Sequence, residues 1–211
     1  GQFIYPCRIK HSAINGNIYI CDGDNHRIQV YSTTAQYLFH FGEEGNNNSQ
    51  FYYPYGCGIS PITGNIIVCD SDNNRIQIFD QRGKFLFQFG SSGTNDGQFN
   101  YPRGCDIDNN DNIYICDYYN HRIQVFDSSG KYLFKFGEKG KNNGQFQYPY
   151  SCGISPTTSN IYICDTSNNR IQCFDKSGNY LFQFGSSGTN DGQFQDPYDI
   201  TIDKLTNNIL V

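Results

Sequence analysis

The chain has 211 residues, a formal net charge of −5, 17 Tyr, 17 Phe and nine cysteines. That length is ample for a buried core, and so many aromatic residues exclude a disordered chain. The acidic balance argues against a broad nucleic-acid surface, which carries a basic excess, and no apolar run approaches the ~20 residues of a membrane helix.

In chain order, the first predicted unit spans residues 7–42 and opens on a weakly patterned strand from Cys7 to Ser12. The second unit, 55–90, shows the pattern most clearly. Tyr55 to Ser60 is a short strand, and Pro61-Ile62-Thr63-Gly64 is a turn. Asn65 to Cys69 is apolar on both faces, as a buried strand should be. Asp70 to Asn74 turns the chain into Arg75–Phe79, which places Ile76 and Ile78 on one face. Asp80 to Gly83 turns again, and Phe85 to Phe89 aligns three aromatics on one side. A Gly-rich polar loop, Gly90 to Gly97, leads to the next unit. Units at 103–137 and 150–185 follow the same plan, and two more strands are expected in a partial unit at 198–211. No stretch supports a helix.

The period is the strongest signal. Asn25-His26-Arg27-Ile28-Gln29 returns at Asn73-Asn74-Arg75, Asn120-His121-Arg122 and Asn168-Asn169-Arg170, with the arginines 48, 47 and 48 residues apart. A period of this size marks solenoids, propellers or arrays, and four short strands per unit describe the blade of a β-propeller. A β-sandwich has no reason to repeat at fixed spacing. A second period of 95 is also present: Phe87–Phe99 and Phe182–Phe194 are the same thirteen residues. The expected fold is therefore all-β, with four-stranded antiparallel blades of which about four and a half are present.

Several motifs carry a family resemblance. Gly97-Gln98-Phe99, Pro102-Arg103-Gly104, Asn112-Ile113-Tyr114-Ile115-Cys116-Asp117, Asn120-His121-Arg122-Ile123-Gln124-Val125-Phe126 and Phe136-Gly137 resemble the NHL-repeat family across the whole chain. The departures are Cys at the family's Ala position (Cys116 and its mates) and the worn first strand. The resemblance implies a six-bladed ring, as in tripartite-motif NHL proteins, so the chain reads as a fragment whose missing repeats are needed for closure. Its open arc would expose strand edges, which invite pairing.

Nine cysteines do not fit an even disulfide framework. They follow the repeat (Cys21, Cys69, Cys116, Cys164; then Cys57, Cys105, Cys152), which favours core fillers, a reducing compartment and a cytoplasmic location. A Cys57–Cys69 bridge across the turn near Thr63 is the rival. Asp22, Asp70, Asp117 and Asp165 each precede the repeated Arg27, Arg75, Arg122 and Arg170 by five residues. They read as structural turn caps that accept backbone N–H groups and pair with the arginine of their own blade. A ring of carboxylates holding a cation is the alternative. His26 and His121 alternate with Asn74 and Asn169, so they read as turn residues rather than metal ligands or bases. No metal site or cofactor is expected, since no Cys/His ligand spacing, nucleophile elbow or phosphate loop occurs.

The loops after the second and fourth strands of a meander emerge on one face. There Tyr55, Arg103, Tyr118, Tyr119, Tyr150 and Tyr198 form a candidate partner-binding set, of the residue types enriched at interaction hot spots. The alternative is that they merely line the mouth of the channel. The resulting expectation is a non-catalytic scaffold that presents a loop face to a protein partner. The resemblance extends this to the recognition end of a ubiquitin-ligase-like chain. Two alternatives stand beside it. One is an RNA-binding propeller using Arg8, Lys10, Lys139 and Lys141 as a basic patch. The other is a propeller lyase or lactonase with a central metal.

Overall fold

The computed structural model describes residues 2–203 and 206–211. Four four-stranded antiparallel sheets follow one another, each in simple meander order. The first holds β1 (Pro6–His11), β2 (Ile18–Asp22), β3 (Arg27–Tyr31) and β4 (Tyr37–Phe41). The second holds β5 (Pro54–Ile59), β6 (Ile66–Asp70), β7 (Arg75–Phe79) and β8 (Phe85–Phe89). The third holds β9 (Pro102–Ile107), β10 (Ile113–Asp117), β11 (Arg122–Phe126) and β12 (Tyr132–Phe136). The fourth holds β13 (Pro149–Ile154), β14 (Ile161–Asp165), β15 (Arg170–Phe174) and β16 (Tyr180–Phe184). A two-stranded sheet of β17 (Thr201–Ile202) and β18 (Ile209–Leu210) closes the series. Helical turns among the described residues are limited to single 3-10 turns such as Tyr118–Asn120.

The sheets are blades that pack face to face. The face of the first blade built from Tyr19, Cys21, Ile28 and Val30 meets Cys57, Ile66, Val68 and Phe79 of the second. The same layers recur between the second and third blades and between the third and fourth. Middle strands are apolar on both faces because each face meets another blade, and β6, β10 and β14 are buried at every position. The outer strands alternate instead. In β8, Phe85, Phe87 and Phe89 turn inward and Leu86 and Gln88 face solvent. The connecting phenylalanines, Phe51, Phe99 and Phe146, are fully buried wedges between blades.

The register places Cys57 opposite Val68, and Cys69 opposite Gly56. The within-blade Cys57–Cys69 bridge is therefore not formed, and all nine cysteines are free thiols. The turn that joins Ile59 to Ile66 sets this register, one residue away from a Cys57–Cys69 facing.

The inner strands converge on the axis. Position by position after each repeated proline, Arg8, Gly56, Gly104, Ser151 and Asp199 form one layer. Lys10, Gly58, Asp106, Gly153 and Thr201 form the next. Arg8 donates to Ser151 and to the Cys152 carbonyl, and pairs with Asp199 at 2.6 Å. Lys10 pairs with Asp106 at 3.0 Å. Burial works against the Lys10 ammonium, but Asp106 outweighs it and raises the pKa above its ordinary value. The side of the first blade that faces away from the second exposes Ile9, which is 59% accessible, while its counterpart Cys57 is fully buried. The arc therefore has an uncovered flank even though its centre is tied across the axis.

Candidate functional site at the channel mouth

Each blade builds the same polar lock at the end of its second strand. In the second blade Asp70 accepts from the Tyr52 backbone N–H at 2.7 Å, from Asn73, from Arg75 Nε at 2.7 Å and from Gln77 at 3.0 Å. Arg75 then donates to the carbonyls of Asn46, Asn47 and Gln50, which belong to the loop arriving from the blade before. Asp117–Arg122 and Asp165–Arg170 repeat the arrangement, with Arg Nε to carboxylate distances of 2.8 and 2.7 Å. Asp22–Arg27 repeats it on the more open first blade at 2.9 Å. Burial pushes the carboxyls of Asp70, Asp117 and Asp165 up, against the donors that hold them charged. At Asp22 burial acts the same way, but the donors led by the Ile4 N–H outweigh it and hold the carboxyl below its ordinary range. The eight residues join loop to blade.

The residue between Asn and Arg has a defined task as well. His26, Asn74, His121 and Asn169 all adopt positive φ, between 52° and 55°. Their side chains accept the backbone N–H of Tyr53, Tyr101, Tyr148 and Asp196, each just before a repeated proline. Imidazole Nδ1 and amide Oδ1 do the same job here. That explains why His and Asn interchange: the accepting imidazole must be neutral and is engaged in holding the next blade.

These locks carry the loops that surround the axis and form a funnel-shaped cavity of about 690 Å³. Tyr55, Arg103, Tyr118, Tyr150 and Tyr198 of the expected set all line it. Tyr119 does not. It packs edge-on against Tyr118, Tyr101 and Tyr148 and is 44% exposed on the rim. Arg103 sits in the middle, its guanidinium 4.3 Å from the Tyr55 ring, 4.5 Å from Tyr118 and 4.9 Å from Tyr150, and it donates to the Tyr150 hydroxyl at 3.1 Å. Tyr198 packs on Tyr150 with centroids 4.8 Å apart.

Sequence reasoning missed Tyr5, Tyr53 and Tyr101, which also line the funnel. The signal was present: each immediately precedes a repeated proline. A residue before proline is normally extended, whereas these hold φ of 52° to 59°, which turns their rings to the mouth. Arg8 and Asp199 form part of the floor. The Nε atoms of Arg8 and Arg103 are buried without a hydrogen-bond partner. Burial raises the Tyr55 hydroxyl to about 12, with Arg103 opposing, and raises the Cys7 thiol at the edge of the funnel to about 11. At neutral pH the Tyr55 hydroxyl and the Cys7 thiol are therefore protonated, and neither is an activated nucleophile.

Two other expectations fare differently. Arg8 and Lys10 lie inside the channel, bound to Asp199 and Asp106, and make no common surface patch with the loop residues Lys139 and Lys141. Among the described residues no group of three or more His, Cys, Asp or Glu side chains is placed to hold a metal ion. No helix among them is long and apolar enough to cross a membrane.

The sequence matches the NHL repeat over residues 13–31 and 99–126, and a family described as a 6-bladed beta-propeller over residues 151–211. The chain carries NHL repeats on a β-propeller fold. No curated protein sequence matches it significantly. Among solved structures, this NHL propeller is similar to one titled as a nidogen/laminin complex (15% identity, TM-score 0.69), covering 97% of this chain and 70% of that one. It is also similar to a virginiamycin B lyase of Staphylococcus aureus (16% identity, TM-score 0.69), covering 97% of this chain and 61% of that one. Hydrazine synthase of Kuenenia stuttgartiensis is a third (15% identity, TM-score 0.66), covering 87% of this chain and 49% of that one. The NHL arc thus spans about half to 70% of the length of these structures. At such identities the likeness is one of fold.

Proposed function

We propose that this NHL propeller is a non-catalytic recognition module that receives a segment of a protein partner in the Tyr/Arg funnel. The observation that carries the reading is Arg103, held between three tyrosine rings in a cavity wide enough for several side chains, with Tyr119 on the rim. Tyr and Arg in a partly desolvated pocket are the residue types that dominate binding energy when an interface forms. The rings pack on one another, Tyr118 on Tyr148 and Tyr150 and Tyr150 on Tyr198, which limits the ordering entropy that binding costs. The similarity to a propeller solved in a protein complex agrees with this use of the fold. The engagement of Arg8 and Lys10 in internal ion pairs weighs against an RNA surface built on them, since backbone binding needs solvent-facing charge. The histidines that might serve a lyase are engaged in holding proline turns. Within a longer chain this module would be the substrate-recognition end of a ubiquitin-ligase-like protein.

The test is site-specific crosslinking. A photoreactive phenylalanine at Tyr119 captures the partner, and the same probe at Ile62, in the turn at the opposite end of the second blade, does not. With the captured partner purified, Arg103→Ala and Tyr118→Ala each weaken binding at least tenfold and Ile62→Ala leaves it unchanged. Equal binding by all four proteins overturns the reading. A steep loss of RNA affinity with salt in the unaltered chain would favour the RNA alternative instead.

A further inference from the structure

The cysteine repeat acquires a meaning in three dimensions that its spacing does not reveal. The second-strand cysteine of one blade faces the first-strand cysteine of the next. Cys21 and Cys57 share one interblade core, Cys69 and Cys105 the next, and Cys116 and Cys152 the third. All six are completely buried. Within each pair the two thiols lie near enough across the blade boundary to shift each other's ionisation. The first-strand thiols also reach back to the neighbouring blade's carbonyls, Cys105 to Ile67 at 3.9 Å and Cys152 to Tyr114 at 3.7 Å. The series stops where the repeat stops: Ile9 takes the first-strand place in the first blade, and Cys164 shares its core with Ile200. Six cysteines therefore form three pairs, and Cys7, Cys164 and Cys173 remain, which accounts for the odd total.

We propose that Cys21–Cys57, Cys69–Cys105 and Cys116–Cys152 are sites of latent interblade disulfides, closed by exchange with a small-molecule disulfide such as oxidised glutathione. In each pair one thiolate attacks the glutathione disulfide, forming a mixed disulfide and releasing one reduced glutathione. The second cysteine then attacks the protein sulfur of the mixed disulfide and releases the other glutathione. Per staple, two protein thiols are oxidised, one glutathione disulfide is reduced to two thiols, and the two thiol protons end on the released glutathiones. Disulfide formation demands facing Cβ atoms and close sulfurs, which neighbouring thiols packed in one interblade core can reach with small shifts and the offset Cys57 and Cys69 of one sheet do not. The reduced pairs persist in the folded state because burial excludes the oxidant and pushes the Cys21, Cys69 and Cys116 thiols well above their ordinary pKa. Exchange therefore takes place when neighbouring blades part. The staples would also tie the mouth: Tyr55, Arg103 and Tyr150 lie two residues before Cys57, Cys105 and Cys152 on the same strands.

The experiment holds the full chain in sub-denaturing urea with oxidised glutathione, blocks remaining thiols with iodoacetamide and maps the products by mass spectrometry. A thermolysin digest cuts at the isoleucines between Cys57 and Cys69 and so separates the two candidate pairings. Three linked peptide pairs are expected, each two hydrogens lighter than its reduced parts, with Cys7, Cys164 and Cys173 alkylated. Once the urea is removed, the melting temperature should exceed that of the reduced protein by roughly 10 °C or more. Cys57→Ala should abolish only the first link. Alkylation of all nine cysteines, or a Cys57–Cys69 link, overturns the proposal.

Discussion

Asp70 receives donors from a backbone N–H, an asparagine, an arginine and a glutamine, and its side chain is completely inaccessible. Removing the charge while keeping the shape leaves the Arg75 guanidinium buried without its counter-ion. Asp70→Asn is expected to destabilise the chain by about 3 kcal/mol, read as a lower urea midpoint. The equivalent Asp22→Asn should lower it less, because the Arg27 side chain is 25% exposed against 9% for Arg75. His121 offers a second residue-scale test. Burial, with Lys139 nearby, holds its pKa below the usual 6.5. Above 6.5 both folded and unfolded chains carry neutral imidazole. As pH falls below it the unfolded chain takes up a proton first, so stability is lost as pH drops through the lowered folded pKa. His121→Asn keeps both the positive φ and the acceptor for the Tyr148 N–H, as Asn74 and Asn169 do. The variant should melt like the parent at pH 7.5 and lose less melting temperature on going to pH 5. An unchanged slope would show that His121 does not titrate in folding. The interchange of His and Asn was visible in the sequence, but its cause was not: the acceptor's target lies 27 residues away, across a blade boundary.

At the scale of the element, strand positions follow closely from the sequence because alternation and turn residues are local signals. The pattern Arg75–Phe79 predicts β7 to the residue, and Phe85–Phe89 predicts β8. The Cys57–Cys69 facing failed because the turn that pairs Ile59 with Ile66 sets the register one residue off, with Cys57 opposite Val68. Inner strands impose a further constraint. Gly56 lies so close to the third blade that a Cβ would overlap the Arg103 carbonyl oxygen, and a Cβ on Gly104 would lie 2.6 Å from the Tyr150 carbonyl oxygen. Backbone cannot yield there as a flexible side chain could. Gly56→Ala is expected to prevent stable packing of the second and third blades, seen as loss of the cooperative thermal transition. Gly97→Ala meets open space at φ 79° and should cost only about 1 kcal/mol of backbone strain. Between blades, Phe126 touches Phe89 and Phe99 at ring separations of 4.8 and 5.6 Å, so Phe126→Ala should cost about 3–5 kcal/mol in chemical denaturation.

At the scale of the whole molecule, the period alone carried the propeller, because each unit is too small to bury its own faces and must stack. The funnel was partly legible for the same reason: topology sends the loops after second and fourth strands to one end. Arg103 was picked out by type, but its position inside a cage of tyrosines depends on convergence of three blades. The link between Arg8 and Asp199 depends on a still longer path, from the first inner strand to the last. Arg8→Ala should release that tie, and hydrogen exchange at β1 and β17 should then accelerate while β10 stays protected.

The layer of Arg8, Gly56, Gly104, Ser151 and Asp199 has a consequence for how the chain finds its own order. Blades two repeats apart are near copies, down to thirteen identical residues in Phe87–Phe99 and Phe182–Phe194. A folding intermediate could therefore thread a blade into the wrong place, or borrow one from a neighbouring molecule, and still satisfy most hydrophobic and hydrogen-bonding contacts. The axial charges are not copied. Only the first inner strand carries Arg8 and Lys10, and only the third and fifth carry Asp106 and Asp199 in the matching layers. A mis-threaded chain strands those charges at its centre, at a cost of several kcal/mol. Four side chains on the axis thus act as address labels in an otherwise degenerate array, penalising every arrangement but one.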